Sequence, residues 1–238
     1  MSQATSLLAL DEVVFAWPGE SHPAIHIPHL SIKAASHTFI HGPSGCGKST
    51  LLSLIAGVIS AQQGRISFMG QDCAALSAAQ RDQLRADHIG YVFQQFNLLP
   101  YLSVLENVAL ACQFSKLRKQ RALSRSASVL EEARRLLAHL QLPDKQLQQP
   151  VGRLSIGQQQ RVAAARAMIG SPELIIADEP TSALDKTNRE HFMNLLMAEL
   201  KHCDSSLLLV SHDQDLAQRF QQVVDLPALN LGGAHEPA

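Results

Sequence analysis

Nowhere in its 238 residues does the chain carry an apolar run close to the roughly 18–20 residues that a membrane-spanning helix needs. No segment is therefore expected to cross a bilayer by itself. Its four cysteines, Cys46, Cys73, Cys112 and Cys203, make no C-x-x-C pair and fit no zinc spacing. That argues against a disulfide framework or zinc module and predicts a reducing compartment. A net charge of −1 leaves no basic excess, so nucleic acid is not expected as a partner. The N-terminus, MSQATSLLALDEVV, shows no basic region leading into an apolar core, and no secretory signal is expected. The chain is thus assigned to the cytoplasm. Internal repeats and low-complexity tracts are also missing. What remains is 46% hydrophobic residues over a length that can bury a substantial core.

Within that core-forming chain, GPSGCGKST occupies residues 42–50 and has the form G-x-x-x-x-G-K-[ST]. Glycines at these places let backbone N–H groups wrap phosphate oxygens. The flanks supply the context this loop requires, since Thr38, Phe39 and Ile40 read as a short buried strand and residues 48–59 as a helix. Phosphate is then held by the helix start as well as by side chains. Lys48 is expected on the β- and γ-phosphates, and Ser49 on Mg²⁺. Further along, the apolar run 174–177 ends abruptly in Asp178 and Glu179. Such a run suits a strand buried on both faces of a parallel sheet, whose carboxyl end is where ligands bind. Asp178 is assigned to the metal and Glu179 to the general base.

Between these two motifs stands LSIGQQQRVAAARAM at 154–168. Physically, Ser155 and Gly157 would lie at a helix N-terminus and offer a hydroxyl, N–H groups and a helix dipole to an anion. With this segment the chain resembles the nucleotide-binding subunits of ATP-binding-cassette (ABC) transporters over nearly its whole length. The resemblance implies an α/β fold: a P-loop NTPase core with a mainly parallel sheet, an N-terminal antiparallel β subdomain and a helical subdomain. It implies one ABC ATPase domain over 1–238, with the core in about 1–95 and 160–238 and the helical part with the signature in about 96–160. ATP would be held by Gly42, Pro43, Ser44, Gly45, Cys46, Gly47, Lys48, Ser49 and Thr50. Ser155, Gly157 and Gln158 would meet the γ-phosphate bound by another subunit.

Other matches follow the same resemblance. Gln94, which directly follows the strand end at Val92 and Phe93, is similar to the glutamine that links magnesium to the membrane domain; Gln95 is the alternative. His212, after the apolar run 207–210, resembles the histidine that contacts the γ-phosphate, and an imidazole can both donate and accept a hydrogen bond. Asp185 in SALD is expected at the dimer interface. Trp17 matches the position from which the family stacks a ring on adenine; its alternative role is to cap a β-hairpin with Phe15. The family's third signature residue is usually Gly, whereas this chain has Ile156. If that residue is helical the change is neutral, and if a positive φ is needed the loop tilts.

The rest of the chain reads as an antiparallel β region over about 8–40 and 64–72, then a helical segment in which residues 129–140 repeat apolar groups at helical spacing. Residues 116–125 carry five basic side chains and are expected to form a solvated face or loop, with contact to anionic lipid headgroups near a membrane partner as the alternative. Phe96, Leu98, Leu99, Pro100, Tyr101 and Leu102 suggest either a groove for a partner's short helix or ordinary packing between subdomains. Because one cassette cannot complete its own site, a homodimer or a paired cassette is expected, together with transmembrane permease subunits that hold the chain at the inner face of the cell membrane. The ADEPTSALD wording is similar to lipoprotein-releasing and macrolide-exporter cassettes, although VFQQFNLLPYLSVLENV also resembles polar amino acid importers. A soluble, non-transport ABC ATPase is the remaining alternative.

Overall fold

The computed structural model describes residues 6–232; the first five residues of the segment read for a signal lie outside them. In chain order come β1 (Ser6–Phe15), β2 (Ile25–Lys33), β3 (His37–His41), α1 (Lys48–Ile55), β4 (Gln63–Phe68), β5 (Gln71–Asp72), α2 (Ala78–His88) and β6 (Ile89–Val92). There follow α3 (Val104–Ala109), α4 (Ala111–Phe114), α5 (Lys116–Leu123), α6 (Val129–His139), α7 (Ile156–Met168), β7 (Leu174–Asp178), α8 (Lys186–Cys203), β8 (Ser206–Val210), β9 (Gln222–Asp225) and α9 (Leu226–Leu229). Two compact units divide the chain, one of residues up to Arg85 together with those from Leu208, the other of Ala86–Leu207.

In the first unit, β1 is the middle of an antiparallel sheet ordered β2-β1-β4-β5. Alternation puts Leu8, Leu10 and Val13 on its buried face, where Leu10 stands opposite Leu30 on one side and Ile66 on the other. Glu12 breaks the β4 ladder with a φ of 49°. The partner chain there must be glycine, because a Cβ on Gly64 would lie 2.0 Å from the Glu12 carbonyl oxygen. Antiparallel pairing stops at Lys33: residues 37–41, expected within the same region, instead pair in parallel with β9, Phe39 opposite Val223. The cause is burial, since Thr38, Phe39 and Ile40 are fully enclosed, whereas β1 and β2 keep exposed residues. The helix expected over 48–59 also ends early, at Ile55. Gly57 takes a left-handed φ of 66° while its N–H bonds the Leu54 carbonyl, which terminates the helix.

The second unit packs helices around β6 and β7, which run parallel with Ile89 opposite Leu174 and Val92 opposite Ala177. Close approach to α7 requires Gly90, whose added Cβ would stand 2.1 Å from the Ala167 carbonyl oxygen. Alanines at 163, 164, 165 and 167 thin α7 enough for that contact and are all buried. The basic stretch 116–125 is not a purely solvated face. Arg118 is 4% exposed and crosses to the end of α7, donating from Nε to the Ile169 carbonyl (2.8 Å) and from Nη2 to those of Arg166 (3.1 Å) and Ala167 (2.7 Å). It thereby satisfies carbonyls that a helix end leaves without intrahelical partners. Burial pulls its guanidinium down to about 10, still charged near neutrality.

Candidate functional site

The first unit holds the glycine-rich loop 42–50 at the carboxyl end of β3. The chain leaves His41, turns through Gly42 and enters α1 at Gly47, an N-cap with φ 97° and no side chain to offer the helix's leading N–H groups. A Cβ on Gly47 would meet Ile25 Cδ1 at 2.9 Å and the Ala24 oxygen at 3.2 Å, besides straining a left-handed backbone. Gly45 is left-handed as well, at φ 82°. Pro43, Ser44 and Gly45 are exposed, while Cys46 and Thr50 are half-buried. Lys48 folds its ammonium onto the loop's own carbonyls, Gly42 and Pro43, at 2.8 Å each. A helix start without a side-chain cap and an ammonium resting on neutral carbonyls are features that suit an anion.

Two more residues of this unit carry expected roles. Trp17 is 45% exposed and meets the buried Phe15 edge to face at 5.0 Å, which fixes the indole while leaving much of its surface open. His212 is exposed just past β8, and the Ser211 N–H bonds the Ile40 carbonyl at 3.2 Å, so its segment starts alongside β3.

The second unit holds the acidic strand end and the segment 154–168. Four fully buried residues, Leu174–Ala177, end in half-buried Asp178 and Glu179, and Glu179 adopts φ 46°. Burial, and after it the charge of Asp178, pushes the Tyr91 hydroxyl up, so that residue stays neutral. Gln94 is exposed in a turn closed by the Phe96 N–H on the Phe93 carbonyl at 2.9 Å. Ser155 caps α7 in a reciprocal box: its Oγ accepts from the Gln158 N–H at 3.4 Å, and Gln158 Oε1 accepts from the Ser155 N–H at 3.0 Å. Gln158 is therefore engaged with the cap itself. Ile156 is the first helical residue, 54% exposed, so the helical reading of that substitution holds. Gly157 lies within 3.6 Å of Leu184 when given a Cβ, an ordinary contact. Asp185 spends its carboxylate on the start of α8, accepting from the Asn188 N–H at 2.9 Å and side-chain amide at 2.7 Å.

Beside Gln94 lies an apolar cavity of about 220 Å³ walled by Tyr91, Phe93, Leu110, Phe114 and Arg166. Tyr91 and Phe93 stack there at 4.1 Å. Phe96 and residues 98–102 do not line this cavity. Phe96 and Asn97 are both left-handed, at φ 59° and 48°, and the turn they make buries Phe96. Arg166 holds that turn, donating to the Phe96 carbonyl at 2.6 Å and to that of Asn97 at 2.7 Å. Sequence reasoning passed over Arg166; its only signal was a basic residue in the last turn of an alanine-rich helix.

Residues 25–182 match the family model described as ABC transporter. The chain belongs to the ABC transporter family. It is 36% identical over 197 residues to the lipoprotein-releasing system ATP-binding protein LolD 1 of Rhodospirillum rubrum, covering 83% of this chain and 84% of that protein. To the macrolide export ATP-binding/permease protein MacB of Chromobacterium violaceum it is 39% identical over 197 residues, 83% of this chain but 29% of that protein. The chain spans between 29% and 37% of the length of the MacB proteins it matches. Among solved structures, the dimeric ATP-binding cassette MJ0796 bound to ADP and Pi superposes with a TM-score of 0.81 at 32% identity, covering 94% of this chain and 95% of that one. As an ABC cassette, this chain is an ATPase with a P-loop NTPase fold.

The donors also fit Mg²⁺. Among the described residues no group of three or more His, Cys, Asp or Glu could hold a metal. Mg²⁺ needs none, because it prefers hard oxygen ligands and is commonly shared between one carboxylate and the substrate's phosphates. The Ser49 hydroxyl in the first unit and the Asp178 carboxylate in the second are each an oxygen donor of that kind.

Proposed function

We propose that the cassette takes ATP with Mg²⁺ on its P-loop, pairs head to tail with a second copy or a homologous cassette around two ATP molecules, and powers a membrane permease of the exporter or lipoprotein-releasing type. The observation that carries this reading is the presence of two motif-bearing helix starts in one chain, α1 behind Gly47 and α7 behind Ser155, each of which could meet an anion. A single nucleotide has one γ-phosphate, so the second start is explained by a nucleotide on a second cassette. In this reading Lys48 leaves its carbonyls for the β- and γ-phosphates, and Trp17 stacks on adenine. Ser49, Asp178 and Gln94 hold Mg²⁺, which when bound neutralises phosphate charge. Glu179 accepts a proton from the attacking water, and His212 contacts the γ-phosphate. Ser155, Gly157 and Gln158 close on the nucleotide of the other cassette, so that ATP favours the closed pair and hydrolysis releases it.

The apolar cavity beside Gln94 is assigned to a short helix of the permease, which places the cassette at the inner face of the cell membrane through its partners. Relatives named for lipoprotein release and macrolide export favour export. Glu179→Gln tests the whole reading. With ATP and Mg²⁺ the variant should run as a dimer in light scattering, and from detergent-solubilised cells it should bring down a polytopic membrane protein. A strictly monomeric variant would overturn the pairing, and ribosomes or nucleic acid in place of a membrane protein would overturn the transport reading.

A further inference from the structure

The turn that ends the described chain reaches back to the P-loop. Asn230 closes α9, is 3% exposed, and spends all its hydrogen-bonding capacity at once. Its Nδ2 donates to the Ala24 carbonyl at 3.0 Å and to the Cys46 carbonyl at 3.4 Å. Its Oδ1 accepts from the His26 N–H at 2.7 Å and the Gly232 N–H at 3.2 Å. Three residues earlier, Pro227 backs the first P-loop glycine: a Cβ on Gly42 would lie 2.9 Å from Pro227 Cδ. One short turn thus touches the loop at both ends.

We propose that Asn230 is a positioning residue for nucleotide binding, which sets the P-loop through the Cys46 carbonyl. In a planar trans peptide the C=O and the following N–H point in opposite directions. Drawing the Cys46 carbonyl towards Asn230 therefore turns the Gly47 N–H away from α9. That N–H belongs to the N-cap of α1, where the backbone meets phosphate, and the left-handed Gly47 has no side chain to fix the peptide otherwise. The tie to Ala24 and His26 anchors the brace to the start of β2, so the loop is held from a strand. This role rests on the P-loop being the ATP site.

Two variants separate the loop contact from the strand contact. Asn230→Ala removes all four bonds, whereas Asn230→Asp keeps both acceptor bonds and loses both donors. ATP binding, ATPase kinetics and thermal unfolding are measured on each beside the wild type, at low salt and near 1 M salt, where repulsion between a new carboxylate and polyphosphate is screened. Both variants should bind ATP about ten-fold more weakly at high salt, the scale of one or two net hydrogen bonds, with the KM for ATP raised and kcat within about three-fold. An unchanged KM in a folded variant overturns the proposal. So does weakened binding in Asn230→Ala alone, which would credit the strand tie, and so does failure of both variants to fold, which would make the residue structural. A wild type that does not bind ATP would instead sink the nucleotide reading.

Discussion

The two helix starts of this cassette differ in how they leave their N–H groups. At α1 the cap is a left-handed glycine with no side-chain bond, and the nearest cation, Lys48, is held on two neutral carbonyls. At α7 the cap is Ser155 in a closed box with Gln158. The first start has no side-chain cap that an anion would have to displace. The second satisfies itself, so an anion must displace bonds before it gains any. The cost is small, because a cap contributes about 0.5–2 kcal/mol and the Ser155 acceptor bond is already long at 3.4 Å. Under the proposed function this asymmetry predicts an order of assembly, with polyphosphate on α1 before α7 meets the nucleotide of a second cassette.

The contrast is broken most severely at α1. Lys48→Ala should lower ATP hydrolysis by at least about 100-fold, the scale of losing a preorganised charge on the transferred phosphate, and a steady-state phosphate-release assay reads it directly. A next, large effect is expected at the opposite end of α7. Arg118→Ala orphans three buried carbonyls and should cost about 3 kcal/mol in urea unfolding, roughly 1 kcal/mol for each lost acceptor partner.

An acid titration sharpens the same region. Burial alone would raise the Glu173 carboxyl, but hydrogen bonds from His88 and Arg121 outweigh it and hold the group at about 2, against an ordinary value of 4.5. A folded value below the unfolded one means that the stabilisation is complete above about pH 4.5 and is lost as pH falls towards 2. Roughly 2–3 kcal/mol should disappear over that window, and Glu173→Gln should flatten the dependence, as followed by denaturant unfolding at stepped pH. The smallest effect tests the closed cap itself. Gln158→Ala opens the box at a cost of about 0.5–1 kcal/mol in unfolding, and should weaken ATP-dependent pairing of the Glu179→Gln form less than loss of the Ser155 hydroxyl does, because the Gln158 side chain is engaged with the cap itself. Ser155→Ala in the same background should weaken pairing, and equal loss in both would erase the distinction between the two helix starts.

Much of this was legible without coordinates, because the signals were local. A glycine pattern before Lys48, an apolar run ending at Asp178, and a Ser three residues ahead of a Gln each specify their own turn, strand end or cap through bonds spanning a few residues. Helix spacing likewise marked residues 129–140, observed as α6 over Val129–His139. The early stop of α1 was signalled by Gly57 and passed over. Other features depend on partners far away in sequence. The parallel pairing of β3 with β9 joins residues some 180 positions apart, and no pattern in 37–41 distinguishes it from a continuation of the antiparallel region. Arg118 looked like one basic residue among five until α7 was brought against it. Phe96 looked like groove lining until two left-handed residues turned it inward. Asn230 carried no motif at all, since a buried amide acquires its role only from the four backbone groups that the fold gathers around it. The amino-acid sequence by itself thus determined the phosphate loop, the acidic strand end and the capped signature helix, whose bonding is local. Tertiary structure decided which buried polar groups hold those pieces in place, because each must find its partner wherever packing removes it from water.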